Sequence, residues 1–313
     1  MHVFLAGASG YVGERVLDDL VAAGHEVVAL AHSDGSLEEI ARSNPNVNVV
    51  KGDVTNAEEM LRAVPRGTEA IVYLPGLLRE FPRKGITFRA VHVDGVDNVL
   101  AAAMQAGATR WIQMSALGAR PNAPTTYYRT KWEAEELVRA SIVGDAGNLE
   151  WTILRPSLIF DDRPRRQHNF VQEIAKAIRM APFVPIIGDG TFLFQPVSVD
   201  DVSQTIVQSL SKPESIGKVY ELGGPEKITY RELVTMIARA MGTKKPAVKI
   251  PLWFLTSAAR LFGGFSWFPI TSEELAMLRN GNFVRDLAED RQWRETFELP
   301  MKRFSESVVK ALF

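Results

Sequence analysis

An α/β fold, a doubly wound parallel sheet carrying a smaller helix-rich C-terminal region, is predicted by three observations. The apolar run Val3-Phe4-Leu5-Ala6 passes directly into Gly7-Ala8-Ser9-Gly10-Tyr11-Val12-Gly13, a buried strand turning into a helix through glycines. Apolar Val12, Val16, Leu17, Leu20 and Val21 then recur at helical spacing, and after the turn Ala23-Gly24-His25 a second apolar run follows, Val27-Val28-Ala29-Leu30-Ala31. Strand-like runs keep returning at 2–6, 26–31, 47–51, 69–74, 110–114 and 149–154, with helical patterns between most of them.

The first of these units explains its glycines. Gly7 permits the tight turn, Gly10 lets the backbone approach a pyrophosphate, and Gly13 lets the new helix lie close against the sheet. The helix N-terminus, with its free amides and positive dipole end, then faces the phosphates. Gly7, Ala8, Ser9, Gly10, Tyr11, Val12 and Gly13 are therefore the candidate dinucleotide cradle. In a Rossmann-like sheet the loop after each strand reaches the same carboxyl edge, where ligands bind. That rim collects Asp53 and Val54 after the third run, Leu74, Pro75 and Gly76 after the fourth, Ser115 after the fifth, and Pro156, Ser157 and Leu158 after the sixth. Beyond residue 156 the pattern breaks into a Pro/Gly-punctuated stretch, returns briefly to regular structure at 196–224 and ends in a helix-rich tail. The expected division is a nucleotide-binding domain of residues 1–156 with about 196–224, and a smaller substrate or partner domain of 157–195 with 225–313.

With 313 residues, 46% of them hydrophobic, the chain has ample material for a large core. Lys and Arg number 36 against 37 Asp and Glu, so no basic field draws it to nucleic acid. Cysteine is absent, which excludes disulfides, thiolate nucleophiles and cysteine-held zinc, and the five histidines show no ligand spacing, so no metal centre is expected. The first strand begins at about residue 2 and no stretch reaches ~18 uninterrupted apolar residues. A cytoplasmic location is expected, with peripheral attachment to a membrane left open.

An Asp or Glu closing the second strand would accept hydrogen bonds from the adenosine ribose and select NAD. The chain writes Ala31-His32-Ser33-Asp34 there. His32 and Ser33 can donate to a 2′-phosphate, so NADP(H) is favoured, and NAD(H) is the alternative that Asp34 would serve if it stood at the strand end. Asp53 is placed either to touch the adenine or to act as a turn or capping residue. Tyr127 and Lys131 stand four apart in a helical pattern, so both project from one face. A neighbouring ammonium lowers a phenol's pKa and makes it a usable acid and base. Ser115 follows Trp111-Ile112-Gln113-Met114 on the rim, where its hydroxyl could hold a substrate carbonyl. Ser115, Tyr127 and Lys131 are the candidate catalytic residues, while Tyr128 points elsewhere.

On Gly7-x-x-Gly10-x-x-Gly13, Ser115, Tyr127-x-x-x-Lys131 and Arg155-Pro156-Ser157 the chain resembles the short-chain dehydrogenase/reductase superfamily. Further segments are similar to its atypical branch, the one containing the NADPH-binding accessory subunit of mitochondrial complex I and its bacterial relatives. They are Met114-Ser115-Ala116-Leu117-Gly118-Ala119, Ile153 to Phe160, Asn169-Phe170, Gln195-Pro196-Val197 with Asp201-Val202, Tyr220 to Pro225, and Ile270-Thr271. The resemblance implies bound NADP(H), with Lys131 on the nicotinamide ribose and Pro156 to Leu158 beside the nicotinamide. It does not imply turnover, because the mitochondrial relative looks like a structural, cofactor-holding subunit. Two departures stand out: His32 replaces the usual basic residue after the second strand, and Phe160-Asp161 replaces Phe-Gly, followed by the basic run Asp162-Arg163-Pro164-Arg165-Arg166.

In related nucleotide-sugar epimerases and dehydratases an Arg precedes the Val-Asp-Asp-Val segment and grips the diphosphate; here Phe194 holds that place ahead of Val199-Asp200-Asp201-Val202. Phe183, Phe192 and Leu193 nearby suit either a hydrophobic substrate or a core. Arg163, Arg165 and Arg166 suit either an anion or a solvated loop. The stretch 248–268, with Trp253, Phe254, Leu261, Phe265, Trp267 and Phe268, is the most apolar in the chain. It reads as a buried helix of the smaller domain, with contact to a membrane or a membrane complex as the alternative. The function expected first is an NAD(P)-dependent reductase acting on a carbonyl or other hydrophobic acceptor through Ser115, Tyr127 and Lys131. The alternative is a non-catalytic NADP(H)-binding accessory, assembly or redox-sensing protein of a membrane redox complex. Nucleotide-sugar epimerase or dehydratase chemistry is disfavoured by Phe194.

Overall fold

The computed structural model describes residues 1–313 except 33–36, 38–40, 43, 144–146, 164–169 and 264–269. Seven strands form one parallel sheet: β1 (His2–Ala6), β2 (Glu26–Ala31), β3 (Val47–Lys51), β4 (Ala70–Tyr73), β5 (Arg110–Met114), β6 (Glu150–Pro156) and β7 (Lys218–Leu222), in the order β7-β6-β5-β4-β1-β2-β3. Six coincide with the runs expected from the sequence. The seventh, β7, lies in the stretch read only as regular structure; its charged Lys218 and Glu221 weaken the apolar signal that marks the others. β4 and β5 are buried along their whole length, as strands covered on both faces must be.

The helices are α1 (Gly13–Ala22), α2 (Ala57–Ala63), α3 (Gly95–Ala106), α4 (Thr126–Ala140), α5 (Phe170–Met180), α6 (Val199–Ser209), α7 (Tyr230–Ala240), α8 (Leu252–Phe262), α9 (Ser272–Asn280), α10 (Leu287–Phe297) and α11 (Glu306–Lys310). One face of the sheet is covered by α1 and α6: Val16, Leu17 and Leu20 of α1 and Val202 and Ile206 of α6 share a cluster with Val3, Leu5, Ile112 and Leu154. Trp293 and Phe297 of α10 return to this cluster, with Phe297 stacked edge-on to Tyr220 of β7. The other face holds α2, α3 and α4, whose Met60, Val96, Val99, Ala134 and Val138 pack on Phe4, Ile71, Tyr73 and Trp111. Because β1 lies between β4 and β2, its two crossovers leave in opposite directions and open a crevice at the carboxyl ends of β1 and β4.

A third cluster gathers Phe160, Val171, Ile178, Val184, Phe194, Leu233, Ile237, Phe304 and Val309 from α5, α7, α11 and the short strands around them. Phe192 packs against it and Phe194 is buried within it, so of the two readings given for these aromatics the structure takes the core. Arg163 is tied to Asp161 and Asp200, while Arg165 and Arg166 lie outside the described residues. The reading of 248–268 as a buried helix fails over α8. Trp253 and Leu261 are each 72% exposed, and Ala259 is the buried residue of the helix. Apolar periodicity fixes which side chains share a face, and here that face turns outward. Phe265, Trp267 and Phe268 lie outside the described residues. No helix among the described residues is long and apolar enough to cross a membrane.

Candidate functional site

The glycine loop leaves β1 at the crevice. Gly7 sits at φ +83°, in the left-handed region, and a Cβ there would press on the Pro75 backbone nitrogen at 3.2 Å. A Cβ on Gly13 would lie 2.0 Å from the Gly7 carbonyl oxygen, so α1 can start this close to the turn only without a side chain. Around Gly10 the nearest described atom to such a Cβ is that same oxygen at 3.1 Å, with nothing else within 4 Å, which leaves the loop open on one side. Ala8 is fully buried and supports the loop from below, and Val12 precedes the first turn of α1. Glycine at the turn, glycine at the helix contact and an open side between them are what a pyrophosphate lying on the α1 N-terminus requires.

At the adenosine end, the His32 side chain is 78% exposed just beyond β2, and its Nδ1 lies 3.7 Å from Asp53 Oδ2. Asp53 itself accepts from the Thr55 amide and hydroxyl at 2.9 and 2.8 Å, the geometry of a turn leading into α2, whose N-cap is Asn56. Val54 packs into the cluster under α2 and α3. Ser33 and Asp34 lie outside the described residues.

Helix α4, capped by Thr125 at the Tyr128 amide, carries Tyr127, Lys131 and Glu135 at successive four-residue steps. Lys131 is buried; its Nζ donates to the carbonyl oxygens of Met114 at 3.2 Å and Pro75 at 3.4 Å, at the ends of β5 and β4. Burial lowers its pKa to about 8 against the opposing pull of Glu135. Gly76 makes room for it, since a Cβ there would stand 3.0 Å from Nζ. Leu74 donates its amide to Ala6 and so holds this loop beside the glycine turn.

Tyr127 lies among Phe88, His92 and Tyr128, with ring centroids 5.6, 5.4 and 5.2 Å away. Burial, and then Tyr128, push its phenol pKa up, opposite to the lowering expected from a neighbouring ammonium. His92 sits on a π-helical turn, Ala90–Asp94, that leads into α3. Its Nε2 accepts the Leu77 amide at 3.1 Å, which assigns the proton to Nδ1 and the 2.9 Å bond from there to Thr130. Burial, reinforced by Lys131, holds it neutral with a pKa near 2.

Ser115 does not face this aromatic group with a free hydroxyl. It donates to Glu135 Oε1 at 2.5 Å, and the Glu135 carboxylate, fully buried, also takes both ends of the Arg155 guanidinium at 2.8 and 2.7 Å and Arg139 at 2.8 Å. Arg155 in turn lies 3.7 Å from Glu221 on β7, whose pKa is raised by burial and then by Glu289. Arg155, Glu221, Tyr128, Asn282 and the Leu117–Ala119 loop line a polar cavity of about 250 Å³. Pro156 ends β6, the Ser157 hydroxyl donates to the Gln195 carbonyl, and Leu158 packs on the third cluster.

Helix α9 closes the side of the site. Glu273 accepts the Thr126 amide at 3.0 Å, completing the N-terminus of α4, and Glu274 takes Arg79 of the β4–α3 connection at 2.7 Å. Met277 packs on Ala116 and Tyr128. Thus the glycine loop, Leu74 to Gly76, Lys131 and Tyr127 come together at one edge. Ser115 is directed to Glu135, and Ser157 to Gln195. Sequence reasoning passed over His92, Glu135 and Glu273; the spacing of Glu135, four beyond Lys131, was the one signal available for any of them.

Residues 7–213 match the family model described as NAD(P)H-binding. The chain belongs to that NAD(P)H-binding family. Within it, the chain is an atypical short-chain dehydrogenase/reductase, 31% identical over 250 residues to NADH dehydrogenase (ubiquinone) 1 alpha subcomplex subunit 9, mitochondrial, of Arabidopsis thaliana, covering 78% of this chain and 59% of that protein. It is 25% identical over 272 residues to the NADH-ubiquinone oxidoreductase 40 kDa subunit, mitochondrial, of Neurospora crassa, covering 86% and 68% of the two. The chain therefore spans about three-fifths to two-thirds of the length of these relatives. Among solved structures, UDP-glucose 4-epimerase of Thermotoga maritima with UDP-glucose superposes at TM-score 0.75 and 18% identity, covering 100% of this chain and 97% of that one. At 18% identity this shows a shared fold and nothing finer.

Proposed function

We propose that this NAD(P)H-binding protein holds its nucleotide as an accessory component of a membrane redox assembly and does not turn it over. One observation carries the reading: the hydroxyl that would orient a substrate carbonyl, that of Ser115, is committed to Glu135 inside a buried ion network. Tyr127 supports it, since its pKa moves up rather than toward the working range of an acid-base group. The relatives named as complex I subunits support the assembly, and His32, exposed where β2 ends in place of an Asp or Glu, supports NADP(H) over NAD(H).

In this reading Gly7 to Gly13 cradle the pyrophosphate, His32 meets the 2′-phosphate, and Asp53 and Val54 border the adenine. Lys131 holds the nicotinamide ribose beside Leu74, Pro75 and Gly76, with Pro156 to Leu158 flanking the ring. These residues bind and orient the nucleotide, whose hydride chemistry would be drawn on only in a reductase. In the same reading residues 1–156 with about 196–224 form the nucleotide-binding domain, and 157–195 with 225–313 the smaller substrate or partner domain.

A reductase is the second reading, favoured by Tyr127 and Lys131 standing one turn apart on α4. Titration of the purified protein with NADPH and NADH by nucleotide fluorescence, followed by a challenge with carbonyl compounds and quinones, separates the two. Tight NADPH binding without oxidation by any acceptor supports the holding role. Oxidation by one acceptor class, abolished by Tyr127→Phe, would replace it with the reductase.

A further inference from the structure

We propose that α8 lays its outward face on an anionic phospholipid bilayer, with Arg260 and Arg279 of the α8–α9 groove taking a lipid phosphate. The inference deepens the membrane-side role proposed above and rests on it for its setting, but the observations are separate from the nucleotide site. At about 100° per residue, Trp253, Ser257 and Leu261 fall on one side of α8, with Phe254 beside Leu261. Trp253 and Leu261 are 72% exposed and Phe254 52%, while Ala259 faces the body of the protein. An amphipathic helix in a soluble protein turns its apolar stripe inward; here the stripe faces out.

Charge decides what covers it. From residue 244 to 263 the sequence holds Lys244, Lys245, Lys249 and Arg260 and no Asp or Glu. Lys245 is used internally, on the carbonyls of Ile178 and Ala181, whereas Lys244, Lys249 and Arg260 are exposed, with Asp189 the acid whose field reaches Lys249. Arg260 borders a groove of about 200 Å³ between α8 and α9 that Thr256, Ser272 and Arg279 also line. The two carboxylates in the first turn of α9, Glu273 and Glu274, point the other way, to Thr126 and Arg79. An apolar strip with an aromatic residue near one end, bordered by exposed Lys244, Lys249 and Arg260 against the single acid Asp189 beside Lys249, carries the net positive charge that suits the headgroup boundary of an anionic membrane.

The test uses the whole 313-residue chain and sedimentation with vesicles of phosphatidylcholine alone or mixed with phosphatidylglycerol. The expected result is binding to the mixed vesicles that falls with added salt, weakens about tenfold or more in Trp253→Ser/Leu261→Ser and weakens about fivefold for each of Arg260→Gln and Arg279→Gln. Both sets of variants should bind NADPH as the parent does, so a failure confined to NADPH would strike the holding role and leave the membrane surface standing. The proposal is overturned by the absence of vesicle binding, by binding indifferent to lipid charge and to these substitutions, or by a solution dimer that Trp253→Ser dissociates with no affinity for vesicles.

Discussion

Ser115 and Glu135 are joined by a 2.5 Å hydrogen bond beneath the carboxyl edge of the sheet, one helical turn past the lysine that holds the ends of β4 and β5. The same carboxylate carries Arg155 and Arg139, so the serine is one spoke of a buried hub. Removing the spoke and removing the hub have different costs. Ser115→Ala is expected to lose about 1 kcal/mol of stability, and Glu135→Ala, which leaves Arg155 without its main partner, about 3–5 kcal/mol. Urea unfolding checks both, and equal losses would contradict the arrangement.

The glycine loop separates folding from binding. Gly10→Ala places a methyl on the open side of the turn, 3.1 Å from one carbonyl oxygen, and is expected to melt within a few degrees of the parent while losing NADPH affinity by tenfold or more. Gly13→Ala forces a methyl to 2.0 Å from the Gly7 oxygen and should cost several kcal/mol of stability as well. Thermal melts read beside nucleotide titrations distinguish the two.

His92 should not titrate near neutrality. Its folded pKa near 2, lowered by burial and by Lys131, keeps the ring neutral throughout the range in which the protein is studied. The ring-proton NMR shifts of His92 are expected to show no protonation step between pH 4 and 7, below the range where Lys131 titrates, with the Nδ1-protonated tautomer visible in the nitrogen shifts. A midpoint near 6 would show that the ring is solvated and the π-helical turn open.

Asp201, buried in α6, accepts the Lys302 amide at 3.0 Å, and burial raises its pKa to about 6, with Asp200 adding to the shift. The folded state therefore holds this proton more tightly than the unfolded chain. The associated stability is complete below the ordinary Asp value of about 3.9 and is lost as pH rises through 6. Asp201→Asn keeps an acceptor for Lys302 and cannot ionise. The parent should thus lose on the order of 2 kcal/mol relative to the variant between pH 4 and pH 7, measured by denaturant unfolding across that range. A parent that gains on the variant instead would reverse the sign of the shift.

The parts of the molecule legible in the sequence are those whose causes are local. Gly10 and Gly13 are explained by the Gly7 carbonyl oxygen a few residues away, and Gly7 by its own positive φ. Tyr127 and Lys131 share a helix, so their common face follows from spacing. The bond from Ser115 to Glu135 joins a loop to a helix, and the cap that Glu273 places on Thr126 crosses 147 positions; no periodicity encodes either. The Tyr127 pKa moves up where spacing suggested down, because spacing reports the nearby ammonium but not the burial of the phenol or the Tyr128 ring beside it. The direction α8 faces was hidden for a related reason: a stripe read from sequence has no inside until the rest of the fold supplies one.

The cap that Glu273 gives to α4 also orders events during synthesis. As the chain emerges from the ribosome, β1 to β5 and the glycine loop can pair with one another first, because all of them lie within the first 114 residues, even though β1 must find β4 with Val3 opposite Ala70. Residue 126 nonetheless waits for residue 273, and the sheet waits for β7 at 218–222 before its edge beyond β6 is covered. The nucleotide half of the molecule is therefore exposed as an incomplete sheet while much of the chain is still being made, and a nascent chain truncated before α9 should be more open to protease at the start of α4 than the finished protein.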